Sequence, residues 1–226
     1  MKCLIFDAGP LINFSMNGLL YILEELKKDF DGEFLITKEV KKEVIDKPLG
    51  IKRFKLEALR MTKLFEKGVI KLADLSPKEV DELRRIRDGL MDVANRSYKT
   101  KKKTLHLLDK GEAAALALAQ IMKKKTKGDC VIAIDERTAR MLVENPENLR
   151  KVLERKFHTS VKADLKGLKS FQGFKIIRST EIVYMAYKKK LTKVSGPKAL
   201  EALLYGLRFK GASISDEEIV DYIKMK

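Results

Sequence analysis

The sequence predicts an α/β protein with a parallel sheet covered on both faces. Three observations lead there. Short apolar runs recur along the chain, each too short for a helix and too continuous for a half-exposed strand; stretches of helical period separate them; and helices open on recognisable caps. Parallel neighbours need a long crossover, and a helix between successive strands supplies it.

In chain order, the first run, residues 3–6, reads Cys-Leu-Ile-Phe and stops at Asp7, ahead of the small residues Ala8 and Gly9 and of Pro10. The other runs are 34–36, 69–72, 131–134 and 174–177. Between them, helical patterns cover 19–28, 38–45, 51–65, 78–93 and 110–125; after the last strand only helices are expected, over 181–190, 197–209 and 216–224. Ser76-Pro77-Lys78-Glu79 has a hydroxyl at the cap, proline at the first helical position and glutamate three residues on, and Ser215-Asp216-Glu217-Glu218 repeats the spacing. The stretch 96–103, with Lys99, Lys101, Lys102 and Lys103, reads as an exposed basic loop. Residues 145–173 read as an insertion, helical up to Phe157 and irregular beyond it.

A chain of 226 residues with 45% hydrophobic content suits a single domain with one core, insertions near 76–108 and 145–173, and a helical tail over 181–226. No apolar run approaches the ~18 residues of a membrane span, and the start goes straight into a strand. A soluble, cytoplasmic protein with no membrane partner is therefore expected. The net charge of +16 favours a polyanion, nucleic acid foremost, because Lys and Arg gain affinity by releasing counterions from phosphates. Abundant Lys and Glu, no Trp, and Gln only at 120 and 172 equally suit a thermophile's ion-pair-rich surface. With two cysteines, two histidines, no CxxC pair and no HExxH, any metal must be held by oxygen. Cys3 lies four residues before Asp7 and Cys130 five before Asp135, so both thiols are expected to be reduced and to face opposite sides of neighbouring strands.

Asp7 ends the first strand and Asp135 the fourth, so a parallel sheet delivers both to its carboxyl edge. The helix over 110–125 runs antiparallel to the strand that follows it, which returns Asp109 and Glu112 in its first turn to that edge. The helix after Thr37 starts there too, with Glu39 and Glu43 on one face. Carboxylates so crowded repel one another unless a cation or proton intervenes, and an oxygen-only site suits Mg²⁺ or Mn²⁺. Plainer readings stand beside this one. Asp135 also fits a cap of the helix over 136–143, Asp109 with Glu112 a capping pair, and Glu39, Glu43 and Asp46 a solvated charged face among lysines. Asp7 is the hardest to explain that way, because it follows Leu4-Ile5-Phe6 at a place where a buried charge is costly unless paired.

Four segments, CLIFDAGPLI, ITKEVKKEVID, LDKGEAAALALA and VIAIDERTARML, together resemble the PIN-domain nucleases. CLIFDAGPLI resembles the opening strand, aspartate and small-residue turn before an apolar helix; ITKEVKKEVID resembles the helix carrying a glutamate, by spacing Glu43. LDKGEAAALALA is similar to a Gly-Glu variant of the central acidic helix, with Glu112 where aspartate is commoner. VIAIDERTARML resembles the closing strand with Asp135 at its end. The resemblance implies a three-layer α/β/α fold with a central parallel sheet of about five strands, plus helical insertions and a helical C-terminal tail like that of a prokaryotic branch of the family.

It further implies an endoribonuclease using Mg²⁺ or Mn²⁺, with Asp7, Glu43, Glu112 and Asp135 as ligands. Ser179 or Thr180 would touch water or phosphate, and Arg137 and Arg140 would contact phosphate; separately, the charge of the basic loop makes Lys101, Lys102 and Lys103 candidates to track the RNA backbone. The partners implied are RNA, a protein antitoxin in toxin-type relatives, and a second copy of the chain. Other relatives process RNA. Haloacid-dehalogenase-like phosphatases also open on a strand and an aspartate but need a second aspartate where this chain has Gly9. A non-catalytic RNA-binding or scaffold protein on the same fold is the remaining alternative.

Overall fold

The computed structural model describes residues 2–101 and 104–225. The chain opens with β1 (Lys2–Phe6), α1 (Ala8–Met16), α2 (Leu20–Asp29) and β2 (Gly32–Ile36). A broken helix follows: α3 (Lys38–Lys41), a π-turn over Lys42–Asp46, and α4 (Lys47–Leu49). Next come α5 (Lys55–Glu66), β3 (Lys71–Leu72), the long α6 (Pro77–Ser97), β4 (Tyr98–Lys99), α7 (Lys110–Thr126) and β5 (Cys130–Ala133). The remainder is α8 (Arg137–Glu144), α9 (Pro146–Phe157), β6 (Lys162–Ala163), β7 (Lys175–Ile177), α10 (Ser179–Lys188), α11 (Ala199–Phe209) and α12 (Asp216–Lys224).

The five expected strands form one parallel sheet in the order β3-β2-β1-β5-β7. Strand alternation sends Cys3, Ile5, Leu35 and Ile132 to one face and Phe6, Phe34, Ile36 and Ala133 to the other, so each face has its own apolar core. On the first face α7 lies against β1 and β5, with α6 packed along its outer side. That sandwiching explains its sequence: GEAAALALA is buried without a break from Gly111 to Ala119, and small side chains let a helix be covered all round. On the second face α1, α2 and α5 close over the sheet, and α10 and α11 join them.

The helical tail is as expected. Its α12 opens on the Ser215 capping box and buries Ile219 with Leu200, Leu204 and Ile214. Arg178, just before α10, donates to Glu181 and Glu218 at 2.9 and 2.7 Å and fastens the tail to the sheet.

Several expectations need correction. Helix α1 begins at Ala8 with no turn before it, because the Asp7 carboxylate accepts from the Gly9 amide and Pro10 suits a first turn. The helix expected over 38–45 is split by the π-turn, which follows Lys41 and carries Glu43. Part of the basic loop is ordered strand: Tyr98 and Lys99 pair antiparallel with Ala163 and Lys162, and the buried Tyr98 hydroxyl donates to the Pro146 carbonyl at 2.8 Å. Lys101 is exposed, whereas Lys102 and Lys103 lie outside the described residues.

Cys3 and Cys130 are joined in a disulfide. They are direct register partners of parallel strands, and register partners share a face. The sequence parity misled because Asp135 lies beyond the end of β5 at Ala133, where strand alternation no longer governs direction.

Candidate functional site

Four loops and helix starts meet at the carboxyl edge around β1 and β5. Asp7 arrives at the end of β1, Asp135 just past β5, Glu112 in the first turn of α7, and Glu43 from the π-turn. Asp7, Glu112 and Asp135 are buried, at 6%, 7% and 2% exposure, while Glu43 is open to solvent.

Gly111 shows how close they come: a Cβ there would lie 3.3 Å from Asp7 Oδ1 and 3.4 Å from Glu43 Oε2. At Gly9 a Cβ would meet Asp7 Oδ2 and the Asp135 Cβ, both at 3.7 Å. A side chain at Gly111 would press on the carboxylates, whereas one at Gly9 would make ordinary contact with them.

Electrostatics follow from burial. The Asp7 carboxyl is pushed up to about 6, chiefly by loss of solvent, with repulsion from Glu43 and Asp135 adding to it against the Ala8 and Gly9 amides. The Glu112 carboxyl is pushed to about 8, again first by burial, then by Asp7. Among the described residues, no Lys, Arg or His nitrogen lies within 4.0 Å of Asp7, Glu43, Glu112 or Asp135. The neighbouring acids are spoken for: Arg87 donates to Glu39 at 2.6 Å, Lys41 to Asp46 at 2.7 Å, and His106 pairs with Asp109 at 2.8 Å. Thus, among the described residues, cations pair with the surrounding carboxylates and not with these four.

Asp135 does not cap its own helix. Glu136 does that, accepting from the Ala139 amide at 2.8 Å. Asp135 instead accepts from the Ser179 amide and hydroxyl, each at 2.7 Å, and from the Asn13 side-chain amide. Asn13 was not singled out from sequence, although an asparagine within the apolar helix PLINFS is a signal, since buried amides demand partners. Glu112 reaches back to the Asp109 amide at 2.9 Å, so its capping role is real; the exposed Asp109 faces His106 and not the cluster.

The expected substrate contacts fare unevenly. Ser179 and Thr180 are fully buried, so Ser179 orients Asp135 and neither reaches a substrate surface. Arg137 is exposed on α8, whereas Arg140 is largely buried, its Nε without a hydrogen-bond partner and its guanidinium 3.9 Å from Glu144. Both line a pocket of about 460 Å³ with Arg208 of α11, displaced toward the tail.

Comparison with protein-family models, curated proteins and solved structures returns no match. The site must therefore be judged on its own chemistry. Among the described residues, no group of three or more His, Cys, Asp or Glu side chains is placed to hold a metal ion. The residue types are those a hard divalent cation takes: carboxylates from separate elements, three of them buried, crowd beside Gly111 with no counter-charge among the described residues. Among the described residues, no helix is long and apolar enough to cross a membrane.

Proposed function

We propose that this protein is a metal-dependent endoribonuclease of the PIN type, with Asp7, Glu43, Glu112 and Asp135 as the groups that would hold Mg²⁺ or Mn²⁺. The observation that supports the reading is the convergence of four carboxylates with no cation beside them among the described residues. Such an ion supplies positive charge beside a phosphodiester and acidifies water at neutral pH. The chain's residues do the positioning. Asn13 and Ser179 fix Asp135, and the start of α1 fixes Asp7. Glu112, pushed up to about 8, holds a proton near neutral pH until a cation replaces it. A net charge of +16 suits RNA as the polyanion. A toxin paired with an antitoxin and an RNA-processing enzyme both fit this chemistry, as does assembly into a dimer.

The test is cleavage of single-stranded RNA with Mn²⁺ or with EDTA. Asp7→Asn and Asp135→Asn keep the side-chain shape but remove the charge, so each should abolish metal-dependent cleavage. Mn²⁺ should raise the melting temperature of wild type and not of the variants. An Asp7→Asn protein cleaving at the wild-type rate would sink the assignment, and a wild type that binds RNA without cutting it would leave a binding protein.

A further inference from the structure

A cleft of about 450 Å³ opens beside the carboxylates, between α1, the π-turn with α4, and α5. Glu43 lines its inner end, so cleft and acidic cluster share a residue. The walls are apolar, from Ile12, Met16, Val44 and Met61, with the Phe54 ring among them. Two cations stand on the rim, Lys47 and Arg53, and among the described residues neither has an ion-pair partner. The Arg53 guanidinium lies over the Phe54 ring, 5.4 Å from its centroid.

One polar group inside the cleft is out of place. Among the described residues Glu57 Oε2 is buried and accepts no hydrogen bond, although Ser15 beside it donates to the Glu57 backbone carbonyl at 3.3 Å. A buried acceptor left without a donor is costly, and structures that keep one commonly fill it with a ligand or water. An occupant of this cleft therefore has three properties. It is flat and apolar on its faces, it carries phosphate at its edge, and it presents hydrogen-bond donors to a carboxylate.

We propose that the cleft seats a guanine base of single-stranded RNA, next to the phosphodiester at the carboxylates, with Glu57 as the residue that selects it. Guanine offers two adjacent donors, N1–H and the N2 amino group, which match the two oxygens of a carboxylate. Adenine and cytosine offer one amino group each, and uracil presents carbonyl oxygens on either side of its N3–H, which repel Glu57. The Phe54 ring stacks on the base, and Lys47 and Arg53 take the flanking phosphates. A base held within a duplex cannot enter, so the substrate is single-stranded. This inference rests on the nuclease reading for the fate of the bound RNA, though base binding itself does not require cleavage.

Titration of the intact protein in EDTA with guanosine, adenosine, cytidine and uridine monophosphates, followed by NMR or calorimetry, separates the two. Guanosine monophosphate should bind at least about tenfold tighter than uridine monophosphate, as a good bidentate base contact allows. Glu57→Gln should bring that ratio toward one, because an amide presents a donor where guanine needs an acceptor, and Phe54→Ala should weaken all four ligands. Melting temperatures near wild type would show that both variants are folded. With Mn²⁺ and RNA, cleavage should cluster beside unpaired guanosines, and Glu57→Gln should scatter it. Equal affinity for the four nucleotides, no binding of any, or a guanosine preference that survives Glu57→Gln would each overturn the proposal. Guanosine binding that depends on Glu57 in a protein that cuts no RNA would uphold this site and defeat the nuclease reading alone.

Discussion

Glu112 and Asp7 set the pH response of the metal-free protein. The folded state holds both carboxyls above their ordinary values, Glu112 at about 8 and Asp7 at about 6. Between the unfolded and folded pKa the folded chain binds protons that the unfolded chain has released, so stability falls as pH rises through that window. For Glu112 the window runs from 4.5 to about 8, and for Asp7 from 3.8 to about 6. Denaturation in EDTA should therefore show wild type less stable at pH 9 than at pH 5, by on the order of 5 kcal/mol. Glu112→Gln should remove most of the loss above pH 6, and Mn²⁺ should do the same in wild type. A flat wild-type profile would mean that burial does not hold these acids above their ordinary values. At this scale Asp7 was legible in the sequence because a charge directly after Leu4-Ile5-Phe6 has no cheap explanation, whereas Asn13 was not, and Ser179 was named only as a substrate contact, because their partner, Asp135, is distant in the chain.

At the scale of elements, the first turn of α7 decides how near the carboxylates approach. Gly111 has an ordinary helical backbone, so alanine should fit the helix and favour it by up to ~1 kcal/mol in propensity. Its Cβ, however, would stand 3.3 Å from Asp7 Oδ1 and 3.4 Å from Glu43 Oε2. Gly111→Ala should therefore match or exceed wild type in EDTA melting, yet lose the rise on adding Mn²⁺ and cleave RNA tenfold or more slowly, since small misplacements cost catalysis heavily. A variant with unchanged metal response would show that the gap at Gly111 is incidental. The π-turn in the preceding broken helix is the matching device: it presents Glu43 to the cluster while Glu39, one α-turn earlier, turns to Arg87. From sequence, i, i+4 spacing put both glutamates on one face, which holds only for an unbroken α-helix.

Across the whole molecule the Cys3–Cys130 bridge ties together β1 and β5, the strands that deliver Asp7 and Asp135. It closes a sequence separation of 127 residues, for which the chain-entropy view gives about 4–5 kcal/mol as an upper figure. Unreduced protein unfolded in denaturant should titrate no free thiol, and a reductant should lower the denaturation midpoint. Two titratable thiols in unreduced protein would remove the bridge. The bridge does not lie at the carboxylates: the cysteines sit toward the opposite end of strands whose carboxyl ends carry the acids.

What the sequence by itself determined was local and periodic. Short apolar runs fixed the five strands, helical period and caps placed α6 and α12, and alternation of strand and helix required a parallel sheet with the strand-end aspartates on one edge. Those features depend on neighbours within a few residues, or on a rule of chain direction that holds for any such sheet. The tertiary structure decided what depends on distant partners. It put Cys3 level with Cys130, turned Glu39 away to Arg87, gave Asp135 to Asn13 and Ser179, and folded Tyr98 and Lys99 onto Lys162 and Ala163. Register, a π-turn and long-range hydrogen bonds each arise from packing that no local pattern encodes, since a shift of one residue reverses the face on which every side chain falls.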